Sequence, residues 1–495
     1  MHVAYARKLV VPFAGAALFC GLLFLFYPYR TTFQFDTDEG VNLIKARLVE
    51  RGCQLYSEVW SDQPPVFTLS LARLFPWMQD DLNAARHLVL AFAGLLAASL
   101  AFVVQRVWGG WQALLAVFLL LLTPFVPALS VSVMIGLPAL ALAFASLAIL
   151  MHWHSRPHPI WLLLSGALLG YSVMTKLFTG FLVPVFQVGI ILAAGQAASF
   201  KLQAALKPLL LWSLAFFLVL AGICLNVIGP AQMLELILPH LEAGMSNYYQ
   251  GYQEEYSRFE LLAGALPIFG LALLGAWSAL RRRQWLALYL MVWLLGGLGF
   301  FVLVSPAWYH HTLLLTLPAV CLAAGGLGEA FGGLARLFHR QKISLAQVTT
   351  TVAGLGLVVV LLWQRLPPVW EEFDHQPYFI ALQSAQPASE QVILDEITPF
   401  GAQIQWMFTD LPMFAFQSDI LVPPELAVLT SKRLASGELP QAEITRLVTE
   451  YRPEIILLGR FEYPGLEALL SADYRLYSSH LDTLLYLRAD LKDLE

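Results

Sequence analysis

The sequence predicts a polytopic α-helical membrane protein of about eleven spans, followed by a small C-terminal α/β domain outside the membrane. Of its 495 residues, 58% are hydrophobic and 13% are charged, which is more apolar surface than a soluble chain of this length can bury. Apolar runs long enough to cross a bilayer recur as far as about residue 365. Beyond that point short apolar segments alternate with polar ones, as in a folded aqueous domain.

Each predicted span is an apolar stretch of roughly 17–25 residues, the length needed to cross the hydrocarbon core. The first stretch follows Arg7 and Lys8, as in a signal peptide, but no small-x-small cleavage site follows it. We therefore expect an uncleaved signal anchor. The approximate limits of the spans are 9–29, 86–106, 111–128, 131–151, 159–175, 178–196, 208–228, 260–280, 285–304, 311–330 and 345–364.

The basic residues of the loops indicate how these spans are oriented. If the N-terminus is cytoplasmic, most loop Lys and Arg residues fall on the cytoplasmic side, including the arginine run 281–283. The short outside loops hold little beyond Lys176 and Arg258. This asymmetry is what the positive-inside rule expects. The sequence therefore predicts a multi-pass protein with a cytoplasmic N-terminus and an extracytoplasmic C-terminal domain.

The spans divide the chain into two predicted domains. A transmembrane module covers residues 1–365, with outer loops at 30–85 and 229–259, and an extracytoplasmic α/β domain covers residues 366–495 after a linker marked by two prolines. The second domain has no glycine-rich phosphate loop, so we expect no nucleotide there. Its predicted elements are strands at 391–394 and 454–459, an amphipathic helix at 444–451, and a hairpin that pairs 474–478 with 483–487.

Charge and cysteine content exclude several classes of function. The net charge of −5 argues against a nucleic-acid partner. Three of the four cysteines, Cys20, Cys224 and Cys321, fall inside apolar runs, and Cys53 stands alone in a polar segment. The sequence therefore provides neither a disulfide framework nor a CxxC metal site.

The first outer loop begins with an acidic segment, 36–40 (DTDEG), that lies between two apolar runs. The spacing of Val41, Ile44 and Leu48 predicts a helix that lies on the membrane surface. Asp38 and Glu39 fall at its start, where the helix dipole favours negative charge and lowers carboxyl pKa values. Acidic residues at the mouth of a bundle usually have a function, but Asp36 or Asp38 as a helix N-cap explains the pattern equally well.

Several short motifs recur in an order that has a counterpart in a known superfold. They are Asp38-Glu39-Gly40, Tyr56 and Pro64-Pro65 in the first outer loop, the stretch 170–176 (GYSVMTK), the stretch 308–311 (WYHH) followed by 317–319 (LPA), and 408–410 (FTD) and 422–424 (VPP) in the tail. Together with the topology, they resemble the lipid-dependent glycosyltransferases of the GT-C superfold. The protein mannosyltransferase and aminoarabinose transferase group, a glycosyltransferase family 39-like group, is the most similar.

This resemblance implies transfer of a sugar from a polyprenyl-phosphate carrier to an acceptor hydroxyl at the outer membrane face, with inversion. Asp38 matches the acidic residue proposed as general base, and Asp36 is the alternative base. Glu39 would orient the base or contact the acceptor. Lys176 and the pair His310 and His311 match positions near the carrier phosphate. Asp62 is a possible second acid, and Tyr56 a further substrate contact.

Ordinary structural roles compete with most of these assignments. Lys176 fits a lysine that reaches the headgroups, and His310 and His311 fit an interfacial aromatic belt. Adjacent histidines on a helix do not point the same way, so we expect one of them to face the site. Tyr248 and Tyr249 belong to an aromatic loop that suits either a substrate lid or interfacial anchoring.

Two departures from the relatives' pattern affect the expected chemistry. Gln63 precedes the two prolines where some relatives have a phosphate-contacting lysine, so Lys176 is the main predicted cation. The outside turn at 129–133 (LSVSV) has no acid where several relatives place a second one. Because a divalent site needs several converging carboxylates, we expect no metal cofactor.

Other classes of function remain open at this stage. A lipid-linked sugar transporter would show internal repeats or charge within its spans, and a non-catalytic scaffold or assembly subunit would have a filled or divided outer cavity. The sequence identifies neither the sugar nor the acceptor, which could be a protein, a glycolipid or a cell-wall polymer. In the plasma membrane of a bacterium, our expected location, the carrier would be undecaprenyl phosphate.

Overall fold

The computed structural model describes residues 2–78, 80–196, 202–229, 257–304, 307–341, 344–374, 387–435 and 437–491, together with residues 232 and 236. Described residues as far as Asp374 form mainly helices, and a small sheet with further helices follows. The predicted substrate contacts Tyr248 and Tyr249 lie outside the described residues.

The first part of the chain is a bundle of helices, and the segment 30–85, the predicted first outer loop, packs against one end of it. Its helices are α1 His2–Phe26, α2 Thr37–Glu50, α3 Val66–Leu74, α4 Asp81–Val107, α5 Gly110–Leu122, α6 Val126–Leu129, α7 Gly136–Ser155, α8 Pro159–Val173, α9 Leu182–Gln196, α10 Leu202–Ile223, α11 Arg258–Ala263, α12 Leu266–Arg281, α13 Ala287–Leu303, α14 Leu313–Phe338 and α15 Leu345–Asp374.

Five described helical segments are long and apolar enough to cross a membrane: Asp81–Val107, Gly136–Ser155, Ala205–Ile228, Tyr309–Phe338 and Leu345–Phe373. Seven shorter apolar helices accompany them: Val10–Phe26, Val66–Trp77, Gly110–Leu122, Pro159–Val173, Leu177–Leu192, Leu266–Arg281 and Ala287–Leu303. The chain is therefore a helical membrane protein, and the count of eleven spans is not confirmed.

The last predicted span continues past the two prolines that were expected to mark a linker. Helix α15 includes Pro367 and Pro368 and ends at Asp374. Arg365 donates a hydrogen bond of 2.9 Å to the carbonyl of Leu122 and lies 3.7 Å from Glu372. The contact between Arg365 and Glu372 spans the two prolines, where two backbone donors are missing.

Helix α2 is largely buried within the protein, so the side expected to meet solvent is covered, and its place on the membrane surface stays a prediction. Leu43, Ile44 and Leu48 are fully buried. On one side, Asn42 Nδ2 donates to the carbonyl of Val133 at 3.0 Å. On the other, α2 packs against a helix of the C-terminal domain, α17 (Pro412–Gln417). The C-terminal domain therefore covers the face of α2 that was expected to meet solvent. The periodicity of α2 alone cannot show such a contact.

The C-terminal domain is a four-stranded sheet with helices. Its strands are β1 Met407–Thr409, β2 Ile455–Leu458, β3 Tyr474–His480 and β4 Thr483–Arg488, and its other helices are α16 Pro387–Ile397, α18 Ser431–Ala435, α19 Gln441–Tyr451 and α20 Glu467–Asp473. The strand order is β1-β2-β4-β3, with β1 parallel to β2 and the other pairs antiparallel.

Most predicted elements of this domain are confirmed. The strand at 454–459, the helix at 444–451 and the terminal hairpin correspond to β2, α19 and the β3–β4 pair. The predicted strand at 391–394 is wrong, because those residues belong to α16. Ile393, Leu394 and Ile397 are buried at helical spacing, and the three apolar residues 392–394 are too few to separate a strand from a helix.

Candidate active site

Asp36 is the N-cap of α2, as the structural alternative predicted. Its Oδ1 accepts a hydrogen bond from the backbone N–H of Asp38 at 2.8 Å. Its Oδ2 accepts one from the hydroxyl of Tyr309, also at 2.8 Å. Burial, with a smaller effect of the neighbouring Asp38 charge, raises the pKa of Asp36 to about 6. The residue therefore both starts the helix and links it to the outer end of α14.

Glu39 lies in a closed, fully buried ion pair with Arg86. Both side chains are 0% exposed, and Arg86 Nε lies 3.0 Å from Glu39 Oε1. The same carboxylate also accepts the backbone N–H groups of Phe35 at 2.9 Å and Val133 at 3.0 Å. All of these bonds are internal, and they join the first outer loop to the bundle. The roles expected of Glu39, orienting the base or contacting the acceptor, stay predictions.

Asp38 differs from both neighbouring acids in the contacts of its carboxylate. The residue is half-buried, and among the described residues its side chain has neither a hydrogen bond nor a salt bridge. Its negative charge acts on Lys45 and Lys176. The structure thus brings the predicted base close to the predicted cation without pairing the two.

Two lysines approach Asp38 from different elements. Lys176 follows α8 and is half-buried, and its Nζ lies 5.1 Å from the ring centre of Phe178. Burial lowers the pKa of Lys176 to about 8, while the charges of Asp38, Asp62 and Asp36 oppose that shift. Within the described part of the chain, its ammonium makes no hydrogen bond or salt bridge.

Lys45 is a cation at the site that our sequence analysis missed. It is 2% exposed, and its nearest polar contact is the hydroxyl of Ser61 at 3.5 Å. Burial lowers its pKa, opposed by Asp62 and Asp38. Lys45 follows Asp38 by about two helical turns, which places both on one face of a helix. The seven-residue spacing is the sequence signal that places Lys45 beside Asp38.

Of the histidines, His310 has the freer side chain. Both lie in a short 3₁₀ turn, Tyr309–Thr312, before α14, and both are at least nine-tenths buried. His311 Nδ1 accepts the backbone N–H of Trp308 at 3.2 Å. His310 Nδ1 is buried without a partner among the described residues, and the side chain interacts electrostatically with Lys176.

The remaining predicted residues lie toward the C-terminal domain. Asp62 forms a salt bridge of 2.8 Å with Lys432, although its charge still acts on both site lysines. The Tyr56 hydroxyl donates to the carbonyl of Gln63 at 2.8 Å, and Tyr56 adopts a left-handed conformation with φ +78°. The Asp62 salt bridge joins the first outer loop to the C-terminal domain, whereas the Tyr56 hydrogen bond closes a turn within that loop.

No protein-family profile matches the sequence, and no curated protein sequence matches it. Several solved structures do match it in fold. ArnT from Cupriavidus metallidurans bound to undecaprenyl phosphate superposes with a TM-score of 0.57 at 15% identity, over 99% of this chain and 98% of that one. The oligosaccharyltransferase AglB from Archaeoglobus fulgidus, in complex with an inhibitory peptide and a dolichol-phosphate, gives 0.52 at 11% identity, over 98% of this chain and 74% of that one. The chain therefore has the GT-C fold.

The comparisons correct the expectation that a metal takes no part. An Archaeoglobus fulgidus oligosaccharyltransferase in complex with zinc and sulfate has the same fold, with a TM-score of 0.56 at 12% identity, over 90% of this chain and 68% of that one. The missing second acid was therefore not a sound reason to exclude a metal. In the described part of this chain, no group of three or more His, Cys, Asp or Glu side chains could hold a metal ion.

Proposed function

We propose that this protein is a membrane glycosyltransferase that moves a sugar from a polyprenyl-phosphate carrier to an acceptor hydroxyl at the outer end of its helix bundle. The main support is the carboxylate of Asp38, whose charge acts on Lys176 and Lys45 although neither lysine forms a salt bridge with any described residue. Buried charges are usually paired. Charges left without partners are available to bind a proton and a phosphate during a reaction.

In the proposed reaction Asp38 is the general base. It takes the proton of the acceptor hydroxyl as that oxygen attacks the anomeric carbon of the sugar. The bond between the anomeric carbon and the carrier phosphate breaks, and its electron pair leaves on the phosphate oxygen. A single displacement of this kind inverts the anomeric configuration.

Cationic groups would stabilise the departing phosphate. Lys176 and Lys45 are the proposed electrostatic contacts, because their charges lie within reach of Asp38 and are not neutralised by a salt bridge. His310 is a further donor candidate through its buried, unpartnered Nδ1. Asp36 and the hydroxyl of Tyr309 would hold the start of α2, and hence Asp38, in place.

The proposal includes an orientation. We place the N-terminus in the cytoplasm, about eleven spans in residues 1–365, and the domain 366–495 outside a bacterial plasma membrane, with undecaprenyl phosphate as the carrier. The charge asymmetry of the loops supports this orientation. The sugar, a hexose or pentose, and the acceptor are left open.

Turnover of lipid-linked donors tests the proposal. Full-length protein in nanodiscs is given undecaprenyl-phosphate-linked hexose, hexosamine and pentose, with membrane extract as the acceptor source, and release of undecaprenyl phosphate is measured. We expect Asp38→Asn to lower turnover about 10²- to 10⁴-fold, with an unchanged unfolding temperature. The matched control is Asp395→Asn, a surface carboxylate of α16. Full activity of Asp38→Asn would remove the assigned base, and no turnover of any donor by the wild type would favour a scaffold.

A further inference from the structure

The C-terminal domain holds one loop rigidly against the start of α2. The carboxylate of Asp410, which is 1% exposed, accepts the consecutive backbone N–H groups of Gly459, Arg460 and Phe461 at 3.0, 3.0 and 2.8 Å. Asp410 comes just after β1 and just before α17, the helix that packs on α2. The loop at 459–461 is therefore fixed in position relative to Asp36 and Asp38.

The approach of α17 to α2 is unusually close. A Cβ atom on Gly40 would lie 2.6 Å from the backbone nitrogen of Met413. The side chain of Gln417 also crosses to the first outer loop and donates to the carbonyl of Phe33 at 3.2 Å. The C-terminal domain thus forms one wall beside the acidic start of α2.

The side chain of Arg460 extends from this loop and forms no salt bridge with any described residue. Its positive charge acts on both Asp36 and Asp410, and its Cζ lies 5.0 Å from the ring centre of Phe461. Its Nη1 atom is buried and has no hydrogen-bond partner among the described residues. A buried donor without an acceptor is unfavourable, and a ligand oxygen would satisfy it.

We infer that Arg460 is a substrate-contacting residue, supplied to the proposed active site by the C-terminal domain, that binds an anionic oxygen of phosphate or carboxylate type. A guanidinium suits such a group because its N–H donors match two oxygens at once. Lys176 and Lys45 come from the bundle and α2, so Arg460 adds a cation from a third part of the chain. The inference rests on the proposed function in one respect, namely that substrates meet at Asp36 and Asp38.

The anionic oxygen has two possible sources, the carrier phosphate and an anionic group of the acceptor. Both are tested with full-length protein in phosphatidylcholine nanodiscs, by titration with undecaprenyl phosphate and, separately, by titration of carrier-loaded and carrier-free protein with inorganic phosphate. The variants are Arg460→Gln and Arg460→Lys. The control is Arg446→Gln, whose arginine is exposed and pairs only with Glu443 and Glu450 on the same helix.

We expect Arg460→Gln to weaken one of these bindings roughly ten- to a hundredfold, since a charged hydrogen bond is lost. Arg460→Lys should recover part of the affinity, and Arg446→Gln should match the wild type. Weaker binding of undecaprenyl phosphate would assign the carrier phosphate to Arg460. Weaker binding of inorganic phosphate alone would assign an anion on the acceptor.

Wild-type affinity of Arg460→Gln for both probes would overturn the inference. If Arg460→Gln unfolds at a lower temperature than the wild type, Arg460→Lys decides, because it keeps the charge: an affinity equal to that of the wild type in both titrations would count against a bidentate contact. A wild-type protein that binds inorganic phosphate through Arg460 but does not bind undecaprenyl phosphate would refute the proposed function and leave the arginine site standing.

Discussion

Two clusters of charge lie within one turn of α2, and they differ in whether the carboxylate has a bonded partner. At Glu39 the carboxylate is closed off by Arg86 and two backbone N–H groups, and neither side chain reaches solvent. At Asp38 the carboxylate has lysines in its field but no bonded partner in the described chain. Folding satisfies the hydrogen bonds of the first cluster, and under the proposed function a ligand would satisfy the second. Adjacent acids in one motif therefore have different surroundings, which depend on their partners.

The closed cluster should show the largest effect on stability. Arg86→Met leaves a buried, unpaired carboxylate, and we expect a loss of about 3–5 kcal/mol in the free energy of unfolding. Thermal and denaturant unfolding of the detergent-solubilised protein measure it. The double variant Glu39→Leu, Arg86→Met removes both charges and should be less destabilised than Arg86→Met alone. A double variant that is worse than the single one would contradict the closed-pair account.

The open cluster should respond in the opposite way. Lys45→Met removes a buried cation that has no salt bridge, so we expect stability to stay the same or rise by about 1 kcal/mol. Affinity for undecaprenyl phosphate should fall roughly tenfold or more. Unfolding curves and carrier titration on one preparation give both values. Destabilisation comparable to that of Arg86→Met would mean that Lys45 is a structural residue.

The pH dependence of carrier binding sharpens the same comparison. Burial lowers the pKa of Lys176 to about 8, so the free protein loses this charge as the pH rises through that value. A bound phosphate favours the protonated lysine, and the dissociation constant should therefore increase by up to about tenfold per pH unit above 8. In Lys176→Arg, whose guanidinium stays charged, the profile should be flatter. Equal slopes for the two proteins would exclude Lys176 as the titrating contact.

A further test concerns the contact between α2 and the C-terminal domain. Gly40→Ala introduces a Cβ within 2.6 Å of the Met413 backbone, so the domain has to shift, at a cost of about 1–3 kcal/mol. Gly21→Ala is the matched control, because that helical glycine has nothing within 4 Å and alanine favours a helix. Limited proteolysis of the C-terminal domain reports the contact. Equal resistance in both variants would show that the interface tolerates the methyl group.

The sequence predicted the elements of the fold better than the partners within the site. Periodicity identified α19 and the terminal hairpin, and Glu454 and Gly459 mark the two ends of the short apolar run that forms β2. Periodicity failed at residues 391–394, where the pattern is short, and at α2, where a distant domain covers the expected solvent face. The Lys45 ammonium could have been placed from its two-turn spacing to Asp38. The Arg86 partner of Glu39 and the approach of Arg460 to Asp36 could not, because each joins positions far apart in the chain.

A structure of the full-length protein with undecaprenyl phosphate bound tests the central claim most directly. We predict that the phosphate group lies among Lys176, Lys45 and His310, within a sugar's width of the Asp38 carboxylate, while the Glu39–Arg86 pair stays closed. A phosphate bound away from these side chains, or an Asp38 carboxylate that points away from the phosphate into bulk solvent, would contradict the account and leave the acidic segment as a helix start alone.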